Sequence, residues 1–84
     1  MSYMIRQYIE TLSDWGMGAH TCHALRDVFD NAPQAVREAA YDWAAAVYAA
    51  TVLSGDGALN VLGNVPADVA QALTARTGTD DLTR

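Results

Sequence analysis

His20, Thr21, Cys22 and His23 form the one cluster of ligand- and nucleophile-type residues in the sequence. Two imidazoles and a thiol suit zinc, which takes nitrogen and sulfur donors in a tetrahedral array, four of them in a structural site. Three donors within four consecutive positions at a helix start cannot all reach one ion without strain. His23 and Asp27 are four apart on one helix face and offer two ligands. No second Cys/His cluster completes the set, so the sequence predicts no metal site and calls for no cofactor. The same residues also sketch a thiol nucleophile with an imidazole base. A helix N-terminus would lower the thiol pKa, the direction that favours attack. No oxyanion-binding group can be named beside them. The ordinary reading of Cys22 is a small apolar side chain packing inward, with Thr21 as the helix N-cap. A metal- or thiol-dependent protein using Cys22 stands as an alternative.

Other chemical signatures are thinner. Gly55-Asp56-Gly57 is too short for a phosphate loop and lacks the following lysine. As a calcium loop it fails at the later ligand positions, where Leu59, Val61 and Gly63 stand. The paired carboxylates Asp80-Asp81 lie in a polar tail. A helix-turn-helix reading would place Gln34 and Arg37 against DNA, but beside Glu38 and Asp42.

The elements that must position these residues are helices. The longest is Pro33 to Ser54, an alanine-rich run opened by a proline suited to the first helical turn and closed by Gly55. One of its apolar stripes is Val36, Ala40, Trp43, Val47 and Ala50. A second is Tyr41, Ala45, Tyr48 and Val52. No charge occurs between Asp42 and Asp56. A helix apolar on more than one face is buried on several sides or spans a membrane, and Trp43 to Leu53 is too short to span. The pattern therefore predicts a central core helix, with any tyrosine left outside, Tyr41 or Tyr48, available to a partner.

Ahead of it, Ser2 to Trp15 repeats Ile5, Tyr8, Ile9, Leu12 and Trp15 at helical spacing. Gly16-Met17-Gly18 breaks that helix, with Met17 turned inward. Ala19 to Asn31 forms a second helix with Leu25, Val28 and Phe29 inward. The residue before Pro33 is steered away from helical geometry, so the break falls there. Beyond the central helix, Ala58 to Leu62 is an apolar run too short to assign as helix or strand. Pro66 to Thr77 is the last helix, with Asp68 at its positive end and Gly78 at its close. The expected fold is all-α: a small four-helix bundle with a long central apolar helix. Residues 1–78 form one helical domain and 79–84 a flexible C-terminal tail.

The chain has 84 residues, five arginines, no lysine, ten carboxylates and a net charge of −5. This balance repels phosphate backbones and anionic membranes, so neither nucleic acid nor a membrane is an expected direct partner. A chain this short has a small margin of stability, and with one cysteine it cannot form an internal disulfide. A homodimer through helix faces would reinforce it. One cysteine and no recognisable export signal predict a cytoplasmic location.

These properties predict a non-enzymatic protein-interaction module that docks on a basic or apolar surface of a larger protein. In size and acidity the chain resembles the anti-CRISPR class of phage inhibitors, a likeness of bulk properties that carries no motif. The resemblance implies an inhibitor that blocks a nuclease or effector complex by protein contact. Mimicry of nucleic-acid charge would use Glu10, Asp14, Asp27, Asp30, Glu38 and Asp42, the last two on one face of the central helix. The alternative class is a structural subunit whose apolar helix completes a helical assembly.

Overall fold

The computed structural model describes residues 2–53 and 57–84, with the side chains of 2, 3, 58 and 59 outside that description. The expected turn at Ser54, Gly55 and Asp56 lies outside the described residues. Among the described residues five helices follow one another: α1 (Ser2–Asp14), α2 (Ala19–Asn31), α3 (Gln34–Leu53), α4 (Ala58–Gly63) and α5 (Ala67–Thr77). Among the described residues there is no strand. The fold is all-helical, but four helices become five because the run read as undecided, 58–62, coils into α4.

The helix ends follow from local chemistry. Gly16 takes φ 108°, a left-handed conformation that glycine adopts without a side-chain clash. There the Gly16 N–H donates to Ser13 O at 3.0 Å and the Met17 N–H to Leu12 O at 3.0 Å. That pair of bonds is a Schellman closure, and its usual apolar contact is supplied by Leu12 and Met17, both buried. Gly78, at φ 77°, closes α5 with its N–H on Thr74 O at 2.8 Å. Ala32, ahead of Pro33, is extended as a pre-proline residue must be.

α3 is the shared wall: α1, α2, α4 and α5 all pack against it. It does so with one face, through Ala40, Trp43, Ala44 and Val47. Opposite stand Ile5 and Leu12 of α1, Leu25, Val28 and Phe29 of α2, and Val69 and Leu73 of α5. α3 thus has neighbours from four helices, as a core helix would, but it is not enclosed all round. Of the second stripe, Tyr41, Ala45 and Tyr48 are half-buried and Val52 is 69% exposed. One buried face is enough to hold a helix whose other positions are mostly alanine, which gives up little by staying in water.

Polar links fasten the joints. Trp15 Nε1–H donates to Thr51 Oγ1 at 2.7 Å, tying the end of α1 to α3. Trp43 Nε1–H donates to Val61 O at 3.1 Å, tying α4 to α3. Residues 79–84, read as a flexible tail, lie back over the start of α2. The Gly18 N–H donates to Leu82 O at 2.9 Å, and the Thr21 N–H and hydroxyl both donate to Arg84 O at 3.0 and 3.1 Å. Thr21 is therefore not the N-cap expected from the sequence. It is buried inside the first turn, the N-cap is Gly18 with no side-chain bond, and the Arg84 oxygen takes the N–H that a capping side chain would have taken.

Gly18 has an ordinary extended backbone, yet a Cβ there would collide with the backbone of Thr83 and Arg84. Gly18→Ala should therefore displace the tail and cost about 1–2 kcal/mol in urea unfolding, the worth of a lost helix cap. It should also speed hydrogen exchange at the Thr21 amide. Gly63→Ala, where a Cβ meets nothing, should be neutral or gain up to about 1 kcal/mol. Equal effects at the two positions would contradict the docked tail.

Candidate functional site

The cluster singled out first does not assemble a chemical centre. His20 and His23 are exposed on α2, while Cys22 is half-buried with its Sγ 3.8 Å from Met17 O. Burial pushes the thiol pKa up, opposite to the lowering expected of a helix start. Desolvation of the thiolate is the cause. Among the described residues, no group of three His, Cys, Asp or Glu is placed to hold a metal ion. His20, His23, Ala24, Asp27, Arg76 and Thr77 line an open cleft of about 350 Å³. Its carboxylate is already engaged. Arg76 Nε–H donates to Asp27 Oδ2 at 2.6 Å and Asn31 Nδ2–H to Asp27 Oδ1 at 2.6 Å.

The six predicted acidic residues are all exposed but are distributed over three helices: Glu10 and Asp14 on α1, Asp27 and Asp30 on α2, Glu38 and Asp42 on α3. Asp27 is spoken for by Arg76, the one ion pair among the described residues. Glu38 accepts a bond from Gln34 Nε2 at 3.1 Å along the same helix. Tyr41 lies against Phe29 with ring centres 4.7 Å apart, which commits it to the α2–α3 joint. Tyr48 meets Tyr8 edge-on at 5.7 Å, across the α1–α3 joint.

Tyr8 and Tyr48 wall a shallow groove that sequence reasoning did not locate. Its other lining residues are Met4 of α1 and Ala45, Ala49, Val52 and Leu53 of α3, around a volume of about 420 Å³. None is charged. Met4, Val52 and Leu53 are 42%, 69% and 83% exposed, and they are the large hydrophobic residues left in water among those described. A cluster of exposed apolar side chains on one face marks an interaction surface more often than isolated ones do. The signal in the sequence was phase: Val52 and Leu53 fall away from the line through Ala40, Trp43 and Val47 when α3 is wound at 3.6 residues per turn. The groove offers phenol hydroxyls and no other polar side chain, so it is suited to receiving apolar groups and not to acid–base or nucleophilic chemistry.

No helix among the described residues is long and apolar enough to cross a membrane. Comparison with known proteins gives no match: no family model, curated protein or solved structure is significantly similar to the chain.

Two outcomes follow from this geometry. Cys22 in the folded protein should react with iodoacetamide at pH 8 more slowly than it does in urea, because burial disfavours the thiolate; a faster reaction when folded would restore the activated-thiol reading. The Arg76 bond, then that of Asn31, holds the Asp27 carboxyl below its usual range. A folded pKa below the unfolded value of about 4 stabilises the fold above that pH and loses this contribution as pH falls through the folded value. Asp27→Asn should thus be less stable than the parent at pH 7, with the gap closing in acid; a gap independent of pH would show that the pair contributes through packing alone.

Proposed function

We propose that the chain is a non-enzymatic interaction module of the cytoplasm, a small acidic inhibitor that docks on a larger protein or nucleoprotein complex. This agrees with its resemblance in size and acidity to anti-CRISPR inhibitors. The observation that carries the reading is the uncharged groove between α1 and α3, with Met4, Val52 and Leu53 standing in solvent. Leaving these side chains exposed forgoes about 25 cal/mol for each Å² that burial would remove from water. A partner that covers them recovers that free energy. The carboxylates at the N-terminal end of the same helix, Glu38 and Asp42, supply the charge for a basic surface.

A second reading, a structural subunit completing a helical assembly, draws on Ala45 and Ala49. Their small side chains on the outer side of α3 allow another helix to approach closely. Sedimentation of the isolated chain separates the two. Self-association abolished by Leu53→Asp favours the assembly, and a monomer at all concentrations favours the inhibitor.

The direct test places a photo-crosslinking amino acid at Ala49 or Val52 in the cell of origin, with Arg26 on α2 as the control position. The expected outcome is one adduct with a larger protein, common to positions 49 and 52, absent from 26 and lost when Leu53→Asp is added. Adducts of equal yield from all three positions would remove the α1–α3 face from the account.

A further inference from the structure

We infer that the occupant of the α1–α3 face is an amphipathic helix of the partner, basic at one end and apolar at the other. The inference rests on the interaction reading above and assigns the partner's chemistry. Glu38, Asp42, Ala45, Ala49 and Val52 follow one another along α3 at steps of four, three, four and three. That spacing sets them in one line on the helix surface, about 21 Å long at 1.5 Å per residue. Ala45 is half-buried and the other four are exposed. The line changes character at its middle. Its first half carries two carboxylates and its second half is the floor and rim of the uncharged groove.

Charge selects among the occupants. The ion pair between Arg76 and Asp27 is the one found among the described residues, so neither Glu38 nor Asp42 is ion-paired with a cation among those residues. Arg37, their neighbour in sequence, has its Nε buried and without an acceptor. A second copy laid parallel would set Glu38 and Asp42 against themselves. Laid antiparallel, it would cover the apolar half and leave both acidic halves overhanging without a counter-charge. A partner helix with arginine or lysine at one end and leucine-like residues at the other covers both halves at once. Helix-in-groove recognition places such anchors at i, i+3 or i+4 and i+7, and the paired alanines 45 and 49 leave room for its backbone to come near.

The test uses the full chain and two synthetic helical peptides of 18 residues. One carries arginines in its first half and leucines at every third or fourth position of its second half. The other has glutamate in place of each arginine. Binding is read by fluorescence anisotropy, and the binding site by amide chemical shifts of the labelled protein. The arginine peptide should bind and move amides of α3 from Glu38 to Leu53 together with those near Met4 and Tyr8. The double variant Glu38→Lys/Asp42→Lys should weaken it about tenfold at 0.15 M salt, the worth of two exposed pairs reversed in sign, and flatten its salt dependence. Val52→Asp, at an exposed site that folding does not need, should weaken it further. Equal affinity for the two peptides, or shifts confined to α2 and α5, would overturn the assignment. Crosslinking from position 52 in cells while the arginine peptide fails to bind would retain the interaction reading and discard the basic partner helix. Self-association that is lost in Leu53→Asp, with no peptide binding, would give the face to a second copy.

Discussion

Everything in this fold depends on the burial of one face of α3. Ala40, Trp43, Ala44 and Val47 are each less than 5% exposed, and every other helix leans on the element that carries them. The alanines keep that face low, so neighbouring backbones can come close. Trp43 supplies the bulk that a row of alanines lacks, and its indole N–H reaches Val61 O. One residue thus fills the core and fixes the short helix α4, which on its own is well below the length at which a helix is stable in water. The opposite side of α3 is left over by the same arrangement. Four neighbours on an alanine-rich rod of 20 residues do not cover all of it, and what they leave in solvent includes Ala49, Val52 and Leu53, beside the half-buried Ala45.

Small chains bury a modest share of their surface, so apolar contact alone leaves neighbouring packings close in free energy. Directional bonds at the joints separate them. Trp15 to Thr51 sets the phase of α1 against α3, Arg76 to Asp27 sets α5 against α2, and Arg84 to Thr21 returns the last residue to the start of the second helix. Each link joins residues far apart in sequence, and the two part-buried bonds, from Trp15 and from Thr21, contribute on the order of 1 kcal/mol apiece, yet each link is available in one register only. The acidic exterior is shaped by the same logic. Asp27 is used as a strut, and Tyr41, placed by sequence among the partner contacts, is used against Phe29.

The helices themselves were legible in the sequence because their ends carry strong local instructions. Gly16 and Gly78 adopt left-handed backbone, and Ala32 is forced to extend by Pro33. Such signals act within a few residues and need no tertiary context. What escaped depends on distant partners. Residues 58–62 coil because Trp43, some 18 positions earlier, offers Val61 a donor. Thr21 looked like a cap because the returning tail that caps α2 in its place cannot be inferred from the residues around it. The half-burial of Cys22 agrees with its ordinary reading as an inward-packing side chain, and the desolvation that comes with it, a tertiary quantity, pushes the thiol pKa up and not down. The groove was missed for a related reason. Two apolar stripes on α3 were recognisable, but which of them the other helices would choose was not.

That choice also decides how the acidity can act. A net charge of −5 suggests a diffuse field, but at physiological salt the field of an exposed carboxylate fades over about 8 Å. Glu10 stands two positions from Tyr8 and so points away from the groove on α1. Asp14 is likewise turned aside, and Asp30 sits on α2, which contributes no residue to the groove. Asp42 is three residues from Ala45, about 4.5 Å along the axis, and Glu38 is one turn further. Of the six carboxylates, these two alone have been placed where a partner seated on the apolar half would feel them directly. The physical consequence is a division of labour along one helix. On the proposed reading, apolar contact at its C-terminal half would supply the free energy of docking, and the carboxylates at its N-terminal half would set the direction in which the partner lies. Charge mimicry spread across the whole surface would need the six to form a continuous track, whereas this fold divides them among three helices and commits one of them to an internal pair.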